Sequence, residues 1–324
     1  MLIGYEEYLA PSFSTLEICG GAIDQTGSFS VGCGSPASLT IRGGRHVFHP
    51  NKSETLPAGH SCFEIGGGSE GTLIVEGDDT EVDFSAASGC GVYFGNTGGS
   101  KSIVRILGGS TTFREKSYFV SRSSSTGAVD VVRGRLRFTG NVDVCRGTNT
   151  VTVSGGEFIV EGTYTMGAYS KDEGDGGLQT IRVCGGLADM HSICLAQSDW
   201  HDCRMVLEGG VLKCDKLQGS GGTHLMHGNG WARFRADGGV IKARMAENFF
   251  MKNLDEAVLG AQGLTIDTDY DIRIDQTFTA AAGVQGRLVK TGSGTLTLTS
   301  SLPADITLEV RGGKVVEPVH RRRQ

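Results

Sequence analysis

The chain has 324 residues, a formal net charge of −6, 51 glycines, 6 prolines and 9 cysteines. Glycine is enriched without a strict G-X-Y period, which excludes collagen, and so mild an acidic balance argues against a surface that tracks nucleic-acid phosphates. At this length the chain is two domains or one elongated repeat, and Thr, Val, Ser and Leu between glycines, with few runs of helical period, favour an all-β repeat.

In chain order, the opening MLIGYEEYLAPSF has no basic region ahead of an apolar core, and no window approaches a membrane-spanning length. The expectation is a soluble chain with no signal peptide and no membrane-spanning segment. Residues 1–27 are expected to form an N-terminal cap, 28–317 a single repeat domain, and 318–324, ending in HRRRQ, a disordered basic tail. Three arginines there are a weak case for nucleic-acid binding.

The repeat is clearest at TVTVSGGEFIVEG, residues 150–162. With Gly156 as position zero, equivalents are Gly44, Asp78, Gly109, Gly134, Gly186, Gly210, Gly239 and, after a gap, Gly313. Five residues earlier stand Leu39, Leu73, Val104, Val129, Val151, Ile181, Met205, Phe234 and Leu308, all apolar. Four residues later stand Phe48, Val82, Phe113, Phe138, Val160, Met190, Cys214 and Ala243, and Glu317 breaks the rule. Such offsets point one strand face inward on both sides of a bend.

A third run ends most units in a small residue: FSVG, FEIG, VYFG, VDVC, YTMG, ICLA, KLQG. Three short strands per unit, an odd number, would reverse strand direction between repeats in a meander of hairpins, and nothing in the sequence alternates accordingly. Stacked turns of a parallel β-helix, a β-solenoid with three short strands per rung, fit better. Gly155–Gly156 is then a corner of the coil. The stretch 243–260, ARMAENFFMKNLDEAVLG, has helix-like parts and reads as a loop or short helix packed on the coil.

The cysteines include no CxxC pair, which argues against a zinc ribbon or redox motif, and no metal or cofactor is implied. Cys214 and Met190 share an inward position, where packed sulfur is expected. Cys184 and Cys194 lie near strand ends with Cys203 close by, where a disulfide needs geometry that spacing does not supply.

Near the C-terminus, LVKTGSGTLTLTS (288–300) is similar to the autotransporter-associated β-strand repeat, and 263–290 resembles the stretch that leads into it. Units such as TVTVSGGEFIVEGTYTMG resemble the glycine-pair repeats of the same large bacterial surface proteins. The resemblance implies a right-handed parallel β-helix passenger, extracellular or displayed at the cell surface, and often an adhesin or surface-shaping element.

Chemistry, if present, is expected in the loops after the third strand. Asp172, Glu173 and Asp175 stand in one, Asp199, Trp200, His201 and Asp202 in the next, and His224, His227 and Trp231 in the one after. Stacked along one edge, indoles, imidazoles and carboxylates can hold a glycan or a protein partner, or oxygens a divalent cation. The bland alternative is a solvated edge. The sequence offers no G-x-S-x-G, H-E-x-x-H or Walker motif, so no catalytic residue is assigned. A structural or adhesive role is favoured over a polysaccharide lyase or glycoside hydrolase, which rests on fold analogy, and over a spacer that binds nothing.

Overall fold

The computed structural model describes residues 2–3, 13–50, 63–85, 91–120, 124–168, 176–198, 200–219 and 230–318. Among these there is no helix, and 31 strands pair in parallel, each with its counterpart one turn away. The architecture is a parallel β-helix with three strands per turn, which form three flat faces. The tail 319–324 lies outside the described residues.

The first face carries the apolar line expected from the repeat. Leu16, Leu39, Leu73, Val104, Val129, Val151, Ile181, Met205, Phe234 and Ala257 are register partners in that order. Alternate residues of each strand face opposite sides, so these point inward and are buried from Leu39 to Ala257. On the third face Tyr164, Ile193, Leu217, Met251, Ile274 and Leu298 form another such line.

Phenylalanine dominates the core of the N-terminal half. Phe48, Phe84, Phe113 and Phe138 stack down the second face, with centroids 5.0, 4.8 and 5.2 Å apart. Phe94 and Phe119 stack on the third face at 4.4 Å and meet the first column edge-on. Parallel in-register pairing places like rings at the stacking distance, and each fully buried Phe contributes about 1.5–3 kcal/mol from burial. Met190 and Cys214 are register partners farther along, both fully buried.

Gly155–Gly156 is a corner: Val151 and Val153 pair on the first face, and Glu157 to Val160 pair on the second. Crowding explains the glycine. A Cβ on Gly186 would lie 2.2 Å from the carbonyl oxygen of Gly156 one turn below, and its φ of 65° is in the left-handed region.

Four sequence expectations shift. The turn Gly77–Thr80 is longer than its equivalents, so Phe84, not Val82, joins the phenylalanine column; Val82 pairs with His46 and Thr111. Leu308 pairs with Leu288 on the second face and Val315 with Leu296 on the third, so Gly313 marks the next corner round the coil. Bends of the same composition occur at more than one corner, which is why spacing alone misplaced it. Residues 243–260 contain strands Glu247–Lys252 and Glu256–Leu259 instead of a helix. A bulge between Glu247 and Met251 breaks the alternation there and hides the strand pattern. Finally, Ser14–Cys19 and Ala22–Thr26 already pair with the turn above, so the end of the coil within 1–27 is itself a turn.

The K-x-G-x-G stretch has a structural reason. Lys290 is buried, and its Nζ donates to the carbonyl oxygens of Thr268 (3.4 Å), Thr291, Gly292 (2.9 Å) and Gly312 (3.4 Å). Burial lowers its pKa. Alternate aspartates of the preceding turn bind the same bend: Asp267 accepts from Thr291 Oγ1, Asp269 from Ser293 N and Oγ, and Asp271 from Thr295 N.

Candidate functional site

Lys171, Asp172, Glu173, Asp175, Asp199, His224 and His227 lie outside the described residues. Trp200, His201, Asp202 and Trp231 are placed, and three of them lie close together. Asp202 and Trp231 are register partners on adjacent strands of the first face, and Trp231 N donates to His201 O at 2.7 Å. Trp200 is half-buried against the turn below, where a Cβ on Gly176 would come within 3.0 Å of its own Cβ.

His201 does not belong to an exposed ridge. Its ring turns into the corner, is fully buried, and lies 3.3 Å from Ser198 Oγ through Nδ1. Ser198 in turn donates to Gly167 O at 2.6 Å. The next residue, Asp202, begins a strand whose inward positions are Cys203, Met205 and Leu207, so its carboxylate faces outward.

Beyond the corner, the outer surface of the first face is a grid set by register. Leu178, Asp202 and Trp231 form one row along the coil; Thr180, Arg204, Arg233 and Glu256 form the next; Arg182, Val206, Arg235 and Val258 form the third. A groove of about 520 Å³ runs over this grid, lined by Arg182, Arg204, Val206, Glu208, Arg233, Arg235, Glu256 and Val258. Trp231 stands at its rim, 42 % exposed, with the Arg233 guanidinium 4.7 Å from its ring centroid.

Charges in the groove pair closely at Asp202, which Arg204 holds through both Nε and Nη2, and loosely at Glu208 and Glu256. Asp202 Oδ2 accepts from Arg204 Nε at 3.1 Å and from Arg233 Nη1 at 3.0 Å. Arg233 also lies 3.6 Å from Glu256, and Arg182 lies 3.5 Å from Glu208. Hydrogen bonding to Asp202 raises the pKa of Arg204, so the cation is held at any ordinary pH. Arg235 is exposed and has no acidic partner among the described residues. Four arginines against Asp202, Glu208 and Glu256 leave the patch positive on a chain whose net charge is negative.

The arginines stand at outward strand positions, on which the apolar pattern of the repeat places no constraint. The signal lay in the alternate strand positions: along the row Thr40, Ile74, Arg105, Asp130, Thr152, Arg182, Val206 and Arg235, Arg105 pairs with Asp130 of the next turn, whereas Arg235 lies between Val206 and Val258. A second groove, about 480 Å³, follows the glycine corner and is lined by Asp78, Asp79, Glu81, Arg135 and Glu157. Among the described residues no group of three or more His, Cys, Asp or Glu is arranged to hold a metal ion. Among the described residues no two cysteines form a disulfide; Cys203 is buried and Cys184 is exposed beside Glu208. Compared with family models, with curated proteins and with solved structures, the chain matches none.

Proposed function

We propose that the chain is a structural and adhesive element: a rigid β-helical rod, exported and held at or beyond a bacterial cell surface, that binds glycan through its first face. The observation that carries the reading is Trp231, a large aromatic ring left 42 % exposed at the rim of an arginine-lined groove. An exposed indole beside charged donors suits a sugar, with the ring against a pyranose face and the guanidinium groups on its oxygens. The likeness of residues 288–300 to the autotransporter-associated repeat supports the surface setting. Most glycoside hydrolases need two carboxyl groups set across a scissile bond, whereas Asp202, Glu208 and Glu256 each face an arginine, an arrangement that favours holding a ligand.

Screening the full chain against an array of glycans tests the reading. Binding to a defined set of glycans, lost in Trp231→Ala with an unchanged circular dichroism spectrum, is expected. Retention of every glycan signal by that variant would mean that binding lies away from the first face, and no glycan bound at all would leave the spacer reading.

A further inference from the structure

We infer that the ligand of this face is an acidic polysaccharide, carboxylated or sulfated, laid along the axis of the coil. The inference rests on the glycan reading above and adds charge and direction to it.

Direction follows from the register. Arg204 and Arg233 are partners on adjacent strands, about 4.8 Å apart along the axis, and Arg182 and Arg235 bracket Val206 at about twice that spacing. The first interval is close to the length of one sugar ring in an extended chain. Over the turns of Arg182, Arg204 and Arg233 a linear polymer parallel to the axis meets a guanidinium at each step, whereas one lying along a single strand leaves this line of charge after one or two contacts. Trp231 stands beside the track, next to Arg233 on the outer face of the same strand.

Charge follows from what the arginines already hold. Planar guanidinium groups bind carboxylate and sulfate through paired N–H donors. Here Asp202 is held by Arg204 and Arg233 together, whereas Arg182 and Arg233 face Glu208 and Glu256 in loose, partly exposed pairs that contribute little. Exchanging Glu208 or Glu256 for a carboxylate on a ligand therefore costs little, and Arg235 has no acidic partner among the described residues to give up. An indole platform distinguishes a sugar from an acidic peptide, and the sparse charge, at most two arginines per turn, suits a polysaccharide better than nucleic acid with its denser phosphates.

Binding of the full chain to polygalacturonate, dextran sulfate, neutral dextran and single-stranded DNA, measured by biolayer interferometry, tests the inference. The acidic polysaccharides are expected to bind, and to weaken about tenfold or more between 50 and 200 mM salt as counterion release predicts for a few neutralised charges. R204Q/R233Q and Arg235→Gln should each lose affinity, while Arg114→Gln, on another face and paired with Asp83, should not. Neutral dextran bound as tightly as the charged polymers, with loss only in Trp231→Ala, overturns the inference and leaves the glycan reading standing. Tighter binding of single-stranded DNA than of either acidic polysaccharide overturns it too, and no binding to any sugar overturns both.

Discussion

At the residue scale, Lys290 shows how a buried charge can be structural. Its ammonium is out of water yet faces four carbonyl oxygens around the bend that ends at Gly292. Replacing it with Met keeps the bulk and removes every donor. Lys290→Met should therefore destabilise the C-terminal turns by about 1–3 kcal/mol, the cost of orphaned buried acceptors. A lower denaturant midpoint at unchanged slope is the expected readout, and an unchanged midpoint would show that water takes over the carbonyls. Carboxylates in the same region give a pH dependence. Hydrogen bonds from Ser293 and Thr295 lower the pKa values of Asp269 and Asp271, and Arg311 and Arg287 push Glu309 down from 4.5 to about 2. Folding thus favours their charged forms. The contribution is complete above the unfolded-state values and is lost as pH falls through the folded ones, so these turns should weaken between pH 4.5 and about 2. Denaturant midpoints measured across that window should fall less steeply in Glu309→Gln than in the wild type. The site was half legible at this scale: Asp202 and Trp231 were named from sequence and lie side by side. His201 was misjudged because polarity marks a residue as a candidate without saying which way a corner turns it.

At the scale of the element, the corner is the unit that defines the coil. Gly210 has a φ of 62°, and a Cβ there would lie 2.6 Å from the Gly185 carbonyl carbon. Gly210→Ala should cost about 1–3 kcal/mol through the left-handed backbone alone, and more if the turns must part. Thermal unfolding checks this against Gly99→Ala, where a Cβ meets nothing within 4 Å although φ is again positive; equal losses would mean that backbone strain, not contact with the turn below, sets the cost. Corners also explain which parts of the fold could be read in advance. Between Leu39 and Phe234 the first face follows a fixed offset, and every partner agrees with the spacing. On the second face two residues added at Gly77–Thr80 moved Val82 out of the column that Phe84 occupies. Alternation is local, so an insertion confined to a bend displaces the register without disturbing either strand's own pattern. At Glu247–Met251 the irregularity lies inside a strand, and there the pattern itself failed.

For the whole molecule, contacts run from each turn to the next, so stability is a sum of neighbouring interfaces and varies along the axis. The phenylalanine column from Phe48 to Phe138 is fully buried, whereas Leu16, Ile18, Ile23, Leu308 and Val315 in the outermost turns are only partly covered. Native-state hydrogen exchange should show the slowest amides in strands of residues 92–166 and the fastest in 14–26 and 306–316. Uniform protection from end to end would mean that the coil opens as one cooperative body. Ion pairs such as Arg135–Glu157, Arg137–Glu161 and Arg287–Glu309 join successive turns on the outside and add little individually.

The all-parallel stacking has a mechanical consequence. Hydrogen bonds between turns lie along the axis, so a pull on the two ends loads them head-on and a few at a time, as in opening a zipper, not all together as in shear. Register partners on successive turns are separated by 19 to 34 residues of chain. Each released turn should therefore lengthen the chain by about 60–120 Å. Stretched in an optical trap, the coil should yield in a train of small, low-force steps from its ends inward, extending turn by turn.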